Sequence, residues 1–314
     1  MANQGKPKYA YFKGNIVPFE QATVSVMTHA LHYGTAVFGG LRAYWNDDEQ
    51  QLFIFRPLDH FERFLQSASM LRMNLGLTNT DITDILCQLL RTENFHENAY
   101  IRPLAYKSTE MIGVRVHDVD DEFTMFSLPF GQYVDKEEGL HVCFSAWRRV
   151  DDNAIPARGK IAGAYANSSQ AKSDAILSGY DEAIVLTNDG HISEGSAANV
   201  ILVRKGAIIT PSSTSDVLEG IVLRSVLEIA RDLGIPVIER QIDRTELYVA
   251  DEAMMCGTGM QIAAITRVEH RNIGTGRMGD ITQELRRVFF DAVAGKLPQY
   301  RHWLTPVYVE EAVM

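Results

Sequence analysis

The stretch "NAIPARGKIAGAYANSSQ", residues 153–170, sets one lysine, Lys160, among glycine, alanine and isoleucine. Gly159 precedes it; Ile161, Ala162, Gly163 and Ala164 follow, and Tyr165 comes next. Small neighbours let a bulky planar ligand approach a backbone closely. Apolar, low-charge surroundings also free a lysine amine for nucleophilic chemistry. By spacing alone, Lys160 reads equally as an exposed lysine in a loop.

The rest of the chain bounds what such a lysine can serve. Its 314 residues allow one large domain or two of ordinary size. With 46% hydrophobic and 22% charged residues, it has the balance of a soluble globular protein. A net charge of −10 argues against nucleic-acid binding, which needs a basic face. No apolar run approaches the ~18 residues of a membrane span. The start "MANQGKPKYAYF" has no apolar signal core, so secretion is not expected. Cys87, Cys143 and Cys256 form no CxxC pair, as in a reduced cytoplasmic protein.

"YAYFKGNIVPF" reads as a hairpin turning at Lys13-Gly14-Asn15. A helix follows Pro57, with Phe61, Phe64, Leu65 and Ala68 on one stripe and Arg63 off it. A second helix is predicted from Asp81, capped by Thr80, with Ile82, Ile85, Leu86 and Leu89 on one side. "AYIRPLAYKS" reads as a strand with Tyr100, Arg102, Leu104 and Tyr106 on one face. "EFTMFSLPF" reads as the next strand. The polar "GQYVDKEEG", 131–139, reads as a linker between a domain at 1–130 and one at 140–314. In the second domain, strands are expected at "HVCFSAW", "EAIVL", "NVILVRKGAIIT", "IPVIERQI" and "AMMCGTGMQIAAI". Helices are expected near 167–178, from Gly220 to a stop at Gly234, and over 280–293. Mixed helices and strands in both halves give an α/β or α+β class.

Two motifs are set aside. "GTGRMG", 274–279, matches G-x-G-x-x-G, but too little chain follows it for a dinucleotide-binding unit, so it reads as a turn into the last helix. His29 and His32 share a helix spacing but lack a third ligand, so no metal is expected and structural hydrogen bonding is. A pyridoxal-phosphate site around Lys160 would need an acid for the ring nitrogen, a donor for the phenolate oxygen and a phosphate clamp. Glu194 in "GHISEGSAANV" is an acid candidate, and Tyr165 a donor candidate. The helix start at "LEGIVLRS" offers amides at Ile221 and Val222 to an anion, Thr258 and Gly259 form a tight turn, and Arg63 could grip phosphate.

Read together, these stretches resemble the class IV aminotransferases of pyridoxal-phosphate fold type IV, and most of all the branched-chain amino acid aminotransferases. The matching segments are "THALHYGTAVFGGLRAY", "FRPLDHFERF", "AYIRPLAY", "PARGKIAGAYANS", "GYDEAIVLTNDGHISEGSAANVILV", "TSDVLEGIVLRSVLEIARDLGI" and "YVADEAMMCGTG", in the family's order over nearly the whole chain. The resemblance implies a small N-terminal α/β domain, a larger C-terminal α/β pseudo-barrel domain and a homodimer or higher oligomer. It implies transfer of the amino group of leucine, isoleucine or valine to 2-oxoglutarate, by a ping-pong cycle through pyridoxamine phosphate.

By the same resemblance, Lys160 is the Schiff-base lysine, Glu194 pairs with the pyridine nitrogen and Tyr165 bonds the phenolate oxygen. Arg63, Ile221, Val222 and Thr258 hold the phosphate, and Leu218 packs on the ring. Tyr100, Thr258 and Gly259 bind the α-carboxylate, Arg102 meets a distal carboxylate, and Tyr33, Phe38 and Tyr133 wall the side-chain pocket. The chain departs from the family in a glycine for a glutamate in "FGGLR", in Val222 for threonine, and in Gln261 with no proline after the phosphate turn. Alternatives within the fold are a D-amino acid or (R)-amine aminotransferase and an aminodeoxychorismate lyase. Outside that range of reactions, the alternative is a pyridoxal-phosphate carrier without turnover.

Overall fold

A computed structural model describes residues 5–131 and 139–308. Most of the 131–139 linker, and Tyr133 with it, lie outside the described residues. The chain divides into two units. One gathers Met1–Tyr133, Gly159–Gly163 and Asp291–Met314; the other gathers Val134–Arg158 and Ala164–Phe290.

In the first unit, β1 (Tyr9–Phe12) and β2 (Asn15–Pro18) form the expected hairpin. Lys13 and Gly14 both take positive φ, the geometry of a two-residue hairpin turn. Next come α1 (His29–Tyr33), β3 (Ala36–Phe38), β4 (Leu41–Asn46) and β5 (Gln51–Phe55). Then follow α2 (Pro57–Met70), α3 (Asn79–Glu93), β6 (Ala99–Lys107) and β7 (Asp121–Pro129). Proline opens α2, where its missing N–H costs nothing, and Phe61, Phe64 and Ala68 are buried. Leu65 is only half-buried.

The cap of α3 is Thr78, not the expected Thr80. Thr78 accepts from the Asp81 amide at 3.1 Å, and Asp81 accepts from the Thr78 amide at 2.8 Å. That reciprocal box moves the helix start two residues earlier. β6 lies inside the eight-stranded sheet, between β4 and β7. Its alternation turns Tyr100, Arg102 and Leu104 to a half-buried face and Ile101, Pro103 and Ala105 inward.

In the second unit, β8 (Leu140–Arg148) leads to α4 (Tyr165–Leu177), β9 (Glu182–Leu186), β10 (Ile192–Gly195), β11 (Asn199–Arg204) and β12 (Ala207–Thr210). After α5 (Ile221–Asp232) come β13 (Val237–Glu239), β14 (Glu252–Gly257), β15 (Gln261–Val268), β16 (Arg271–Asn272) and α6 (Asp280–Val293). A last strand, β17 (Leu304–Pro306), joins β5 in the first sheet. The second sheet has nine strands; β8 pairs in parallel with β9 and β15, and β12 with β13.

The core of the second sheet includes Val142, Ile184, Val200, Leu202, Met255 and Ile265. α5 ends at a left-handed Gly234, and the Ile235 amide closes back on the Ala230 carbonyl at 2.8 Å. "IPVIERQI" yields only three strand residues, because Ile242 leaves β13's line and accepts from the Ile192 amide.

The glycines of "GTGRMG" have packing reasons. A Cβ on Gly274 would stand 2.1 Å from the Asp251 carbonyl oxygen, and one on Gly279 would strike Glu252. Glu252 accepts from the Ile281 and Thr282 amides and so caps α6. His29 Nδ1 bonds Thr35 and its Nε2 bonds the Gly113 carbonyl, both at 2.8 Å, while His32 bonds the Val26 carbonyl.

Candidate active site

In the first unit, Lys160 is held through its backbone. Its amide donates to Ser67 Oγ at 3.1 Å, and its carbonyl accepts from the Phe38 amide at 3.0 Å. Ser67 in turn donates to the Arg63 carbonyl at 2.8 Å, so one buried hydroxyl links Lys160 to the turn of α2 that carries Arg63. Ile161 bridges Val37 of β3.

The small residues around Lys160 pack backbone to backbone. The Gly163 amide donates to the Gly34 carbonyl at 3.2 Å, and a Cβ on Gly34 would come 2.7 Å from Gly163 Cα. Gly34 also has φ +65°, which favours glycine. A Cβ on Gly159 would crowd Met70 and Ile161.

The side chain of Lys160 is half-buried, with Nζ 5.0 Å from the centre of the Phe38 ring. The Arg102 guanidinium lies 4.9 Å from the same ring. Arg102 donates to the Tyr100 hydroxyl at 2.9 Å. The structure thus brings together Lys160, Phe38, Tyr100 and Arg102. Gly40 leaves room for Tyr100: a Cβ there would stand 2.4 Å from its hydroxyl. Arg42, opposite Tyr100 on β4, is buried, lies over Phe130 at 4.7 Å and donates to the Gly131 carbonyl. Burial pulls its guanidinium below the ordinary arginine range. Tyr33 is tied within α1 and its neighbours: its hydroxyl accepts from the Gly113 amide at 3.0 Å and its ring lies 4.7 Å from that of His29.

In the second unit, Glu194 is held through its side chain. It is buried on β10. Arg149 NH2 lies 3.0 Å from Oε1; Oε2 accepts from the Leu218 amide at 3.1 Å and from Asn199 Nδ2 at 3.3 Å. These three partners are donors, the arrangement of an ionised carboxylate. Asn199 also donates to the Leu218 carbonyl at 2.9 Å, fixing Leu218 from both sides.

Three residues after Leu218, α5 begins. Its cap position is Gly220, no side chain caps it, and Ile221 and Val222 occupy its first turn. A Cβ on Gly220 would collide with Asn199 Oδ1 at 2.0 Å, so glycine is required where the helix start meets the Glu194 network. Val222 brings no hydroxyl to that start. Thr258 and Gly259 lie in the short turn between β14 and β15, closed by the Gly257–Gln261 pair, and Gln261 has φ +59°. Tyr165 is the first residue of α4. A buried ionised carboxylate and a helix start without a side-chain cap suit a flat cationic ring that carries a phosphate.

Sequence reasoning missed Ser67, Arg149 and Asn199. Ser67 lies one turn beyond Arg63, the one available signal. Arg149 follows Arg148, and paired arginines at a strand end read as solvent charge. Asn199 heads the apolar run "NVILV", a polar residue out of place.

The profile of amino-transferase class IV matches residues 36–268. A probable branched-chain-amino-acid aminotransferase of Aquifex aeolicus (strain VF5) is 43% identical over 301 residues, 96% of this chain and 97% of the relative. The branched-chain aminotransferase of Thermoproteus uzoniensis, solved with norvaline, has a TM-score of 0.93 at 39% identity, covering 96% of this chain and all 100% of that one. The T.th. branched-chain amino acid aminotransferase, complexed with N-(5'-phosphopyridoxyl)-L-glutamate, has a TM-score of 0.92 at 36% identity, covering 96% and 99%. The chain therefore belongs to the amino-transferase class IV family, among the branched-chain-amino-acid aminotransferases.

Proposed function

We propose that this chain is a pyridoxal-phosphate-dependent aminotransferase that moves the amino group of leucine, isoleucine or valine to 2-oxoglutarate. The observation that carries the reading is Glu194, buried and ringed by donors beside a helix start that no side chain caps. The relatives solved with norvaline and with a phosphopyridoxyl-glutamate support the substrate pair. When bound, the cofactor supplies an electron sink for the substrate's Cα.

The chain's residues supply the rest. Lys160 Nζ anchors the cofactor and moves the proton at Cα. Glu194 holds the ring nitrogen protonated, and Tyr165 donates to the phenolate oxygen. Arg63, the Ile221 and Val222 amides and Thr258 grip the phosphate, and Leu218 packs on the ring. Tyr100, Thr258 and Gly259 take the α-carboxylate. Phe38 and Tyr33 wall the apolar pocket. Arg102, stacked on Phe38 and bonded to Tyr100, meets the distal carboxylate of the second substrate.

We further propose a division at the 131–139 linker, a homodimer or higher oligomer, and work in the cytoplasm. The loops around α1 and residues 109–114 are tied by the Thr28–Glu110 bridge and expose Val26 at 77%, Leu31 at 64% and Val114 at 78%. That apolar patch is what a second copy would cover. Three free cysteines agree with a reducing compartment.

The test is to mix the protein with L-leucine and 2-oxoglutarate and follow glutamate. Glutamate formation is expected. Turnover of D-alanine or (R)-1-phenylethylamine, with none of L-leucine, would overturn the substrate assignment.

A further inference from the structure

Arg149 has no part in the function proposed above, yet it is buried. It lies just past β8, where its amide donates to the Leu186 carbonyl at 2.8 Å. Its Nε donates to the Asp216 carbonyl at 3.0 Å, and NH2 meets Glu194 Oε1 at 3.0 Å. One side chain therefore ties the end of β8, the strand carrying Glu194, and the 216–220 segment that runs into α5.

A buried ion pair of this kind is a weak source of stability. Removing two charges from water costs about as much as their attraction returns, and an apolar pair of equal volume would serve the fold as well. The pair instead solves a chemical problem. A carboxylate that must accept a hydrogen bond from a protonated ring nitrogen has to stay charged while buried. Alone in such a place it would take up a proton itself and become a donor.

We infer that Arg149 is a positioning residue for the cofactor: it keeps Glu194 ionised and turned so that the ring nitrogen, rather than the carboxyl group, carries the shared proton. The inference rests on the function proposed above. The Leu218 amide and Asn199 fix the other oxygen, so Arg149 sets both the charge and the rotation of the group. Among the described residues, charged groups near this clasp include the carboxyls of Asp216, Asp151 and Asp152 and Arg158, which pairs with Asp152 and Glu219 before α5. Burial holds the Asp216 carboxyl above the ordinary aspartate range, with Asp151 and Asp152 adding to the rise. Asp216 meets Arg149 through its backbone carbonyl, while its carboxyl feels the arginine charge at a distance; Glu194 meets Arg149 directly with its carboxylate.

The experiment strips the purified enzyme of cofactor, adds back pyridoxal 5'-phosphate, and records binding affinity and the absorbance of the bound cofactor across pH. Variants are Arg149→Met, Arg149→Lys, Glu194→Gln and the Met–Gln double variant. Arg149→Met is expected to weaken binding by about tenfold or more and to make the spectrum titrate where the wild type is constant. Arg149→Lys should restore most of both. In the Glu194→Gln background, adding Arg149→Met should change little, because Arg149 acts through Glu194.

An unchanged spectrum and affinity in Arg149→Met would overturn the inference, as would independent, additive effects of the two substitutions. If Arg149→Met does not fold, Arg149→Lys and the double variant, which leaves no buried charge alone, still decide. A wild-type protein that binds no pyridoxal phosphate would instead sink the proposed function.

Discussion

Lys160 and Glu194 are held in opposite ways. The segment around Lys160 is fixed by its backbone: two main-chain bonds to Ser67 and Phe38, and a glycine-on-glycine approach between Gly34 and Gly163. Its side chain is half-buried, with Nζ 5.0 Å from the centre of the Phe38 ring. Glu194 is fixed by its carboxylate, with donors on both oxygens. An amine that must make and break bonds is served by a rigid backbone beneath it. A carboxylate that only holds a proton in place needs a rigid end. The first arrangement is sensitive to added volume, the second to lost charge.

Gly34→Ala attacks the backbone arrangement and should be the most damaging. It combines a left-handed φ with a Cβ 2.7 Å from Gly163, so a loss of about 3 kcal/mol of stability is expected in urea unfolding. A stable Gly34→Ala protein would mean that the glycine contact carries no weight. Glu194→Gln attacks the other arrangement and should keep the fold. It should lower kcat with leucine by ~10- to 100-fold, about 1.4–2.7 kcal/mol, with less effect on the KM for leucine.

Ser67→Ala removes one acceptor beneath Lys160. A cost of about 1–2 kcal/mol is expected, read as a Tm lower by a few degrees. The smallest effect belongs to a charge network on the surface of the second unit. Hydrogen bonding from Arg240, aided by Arg204 and opposed by burial, holds Glu246 at about 2, down from 4.5. Its folded value is depressed, so its contribution is complete above pH 4.5 and is lost as pH falls toward 2. Solvent screens this network, so the contribution is under about 1 kcal/mol. Glu246→Gln should flatten the acid limb of the stability profile and leave neutral stability nearly unchanged.

Regular elements with local signals are legible in the sequence. The hairpin at Lys13-Gly14, the alternation of β6 and the span of α6 all follow from residues close together in the chain. Where two local signals compete, the geometry chooses. Both Thr78 and Thr80 could cap α3, and Thr78 wins because Asp81 returns its bond. Partners far apart in sequence are not legible. Ser67 meets Lys160 across 93 positions and Arg149 meets Glu194 across 45, and no pattern of period two or 3.6 reports such a meeting. The glycines near Lys160 read as room for a ligand; sterically, Gly34 carries the strongest need, with a Cβ 2.7 Å from Gly163 Cα, while a Cβ on Gly159 would crowd Met70.

The most direct test of the account is to reduce the pyridoxal-phosphate-loaded protein with borohydride, digest it and locate the modified residue by mass spectrometry. One cofactor adduct is expected, on Lys160, and none in a Lys160→Ala variant. An adduct on another lysine, or undiminished labelling of the variant, would contradict it.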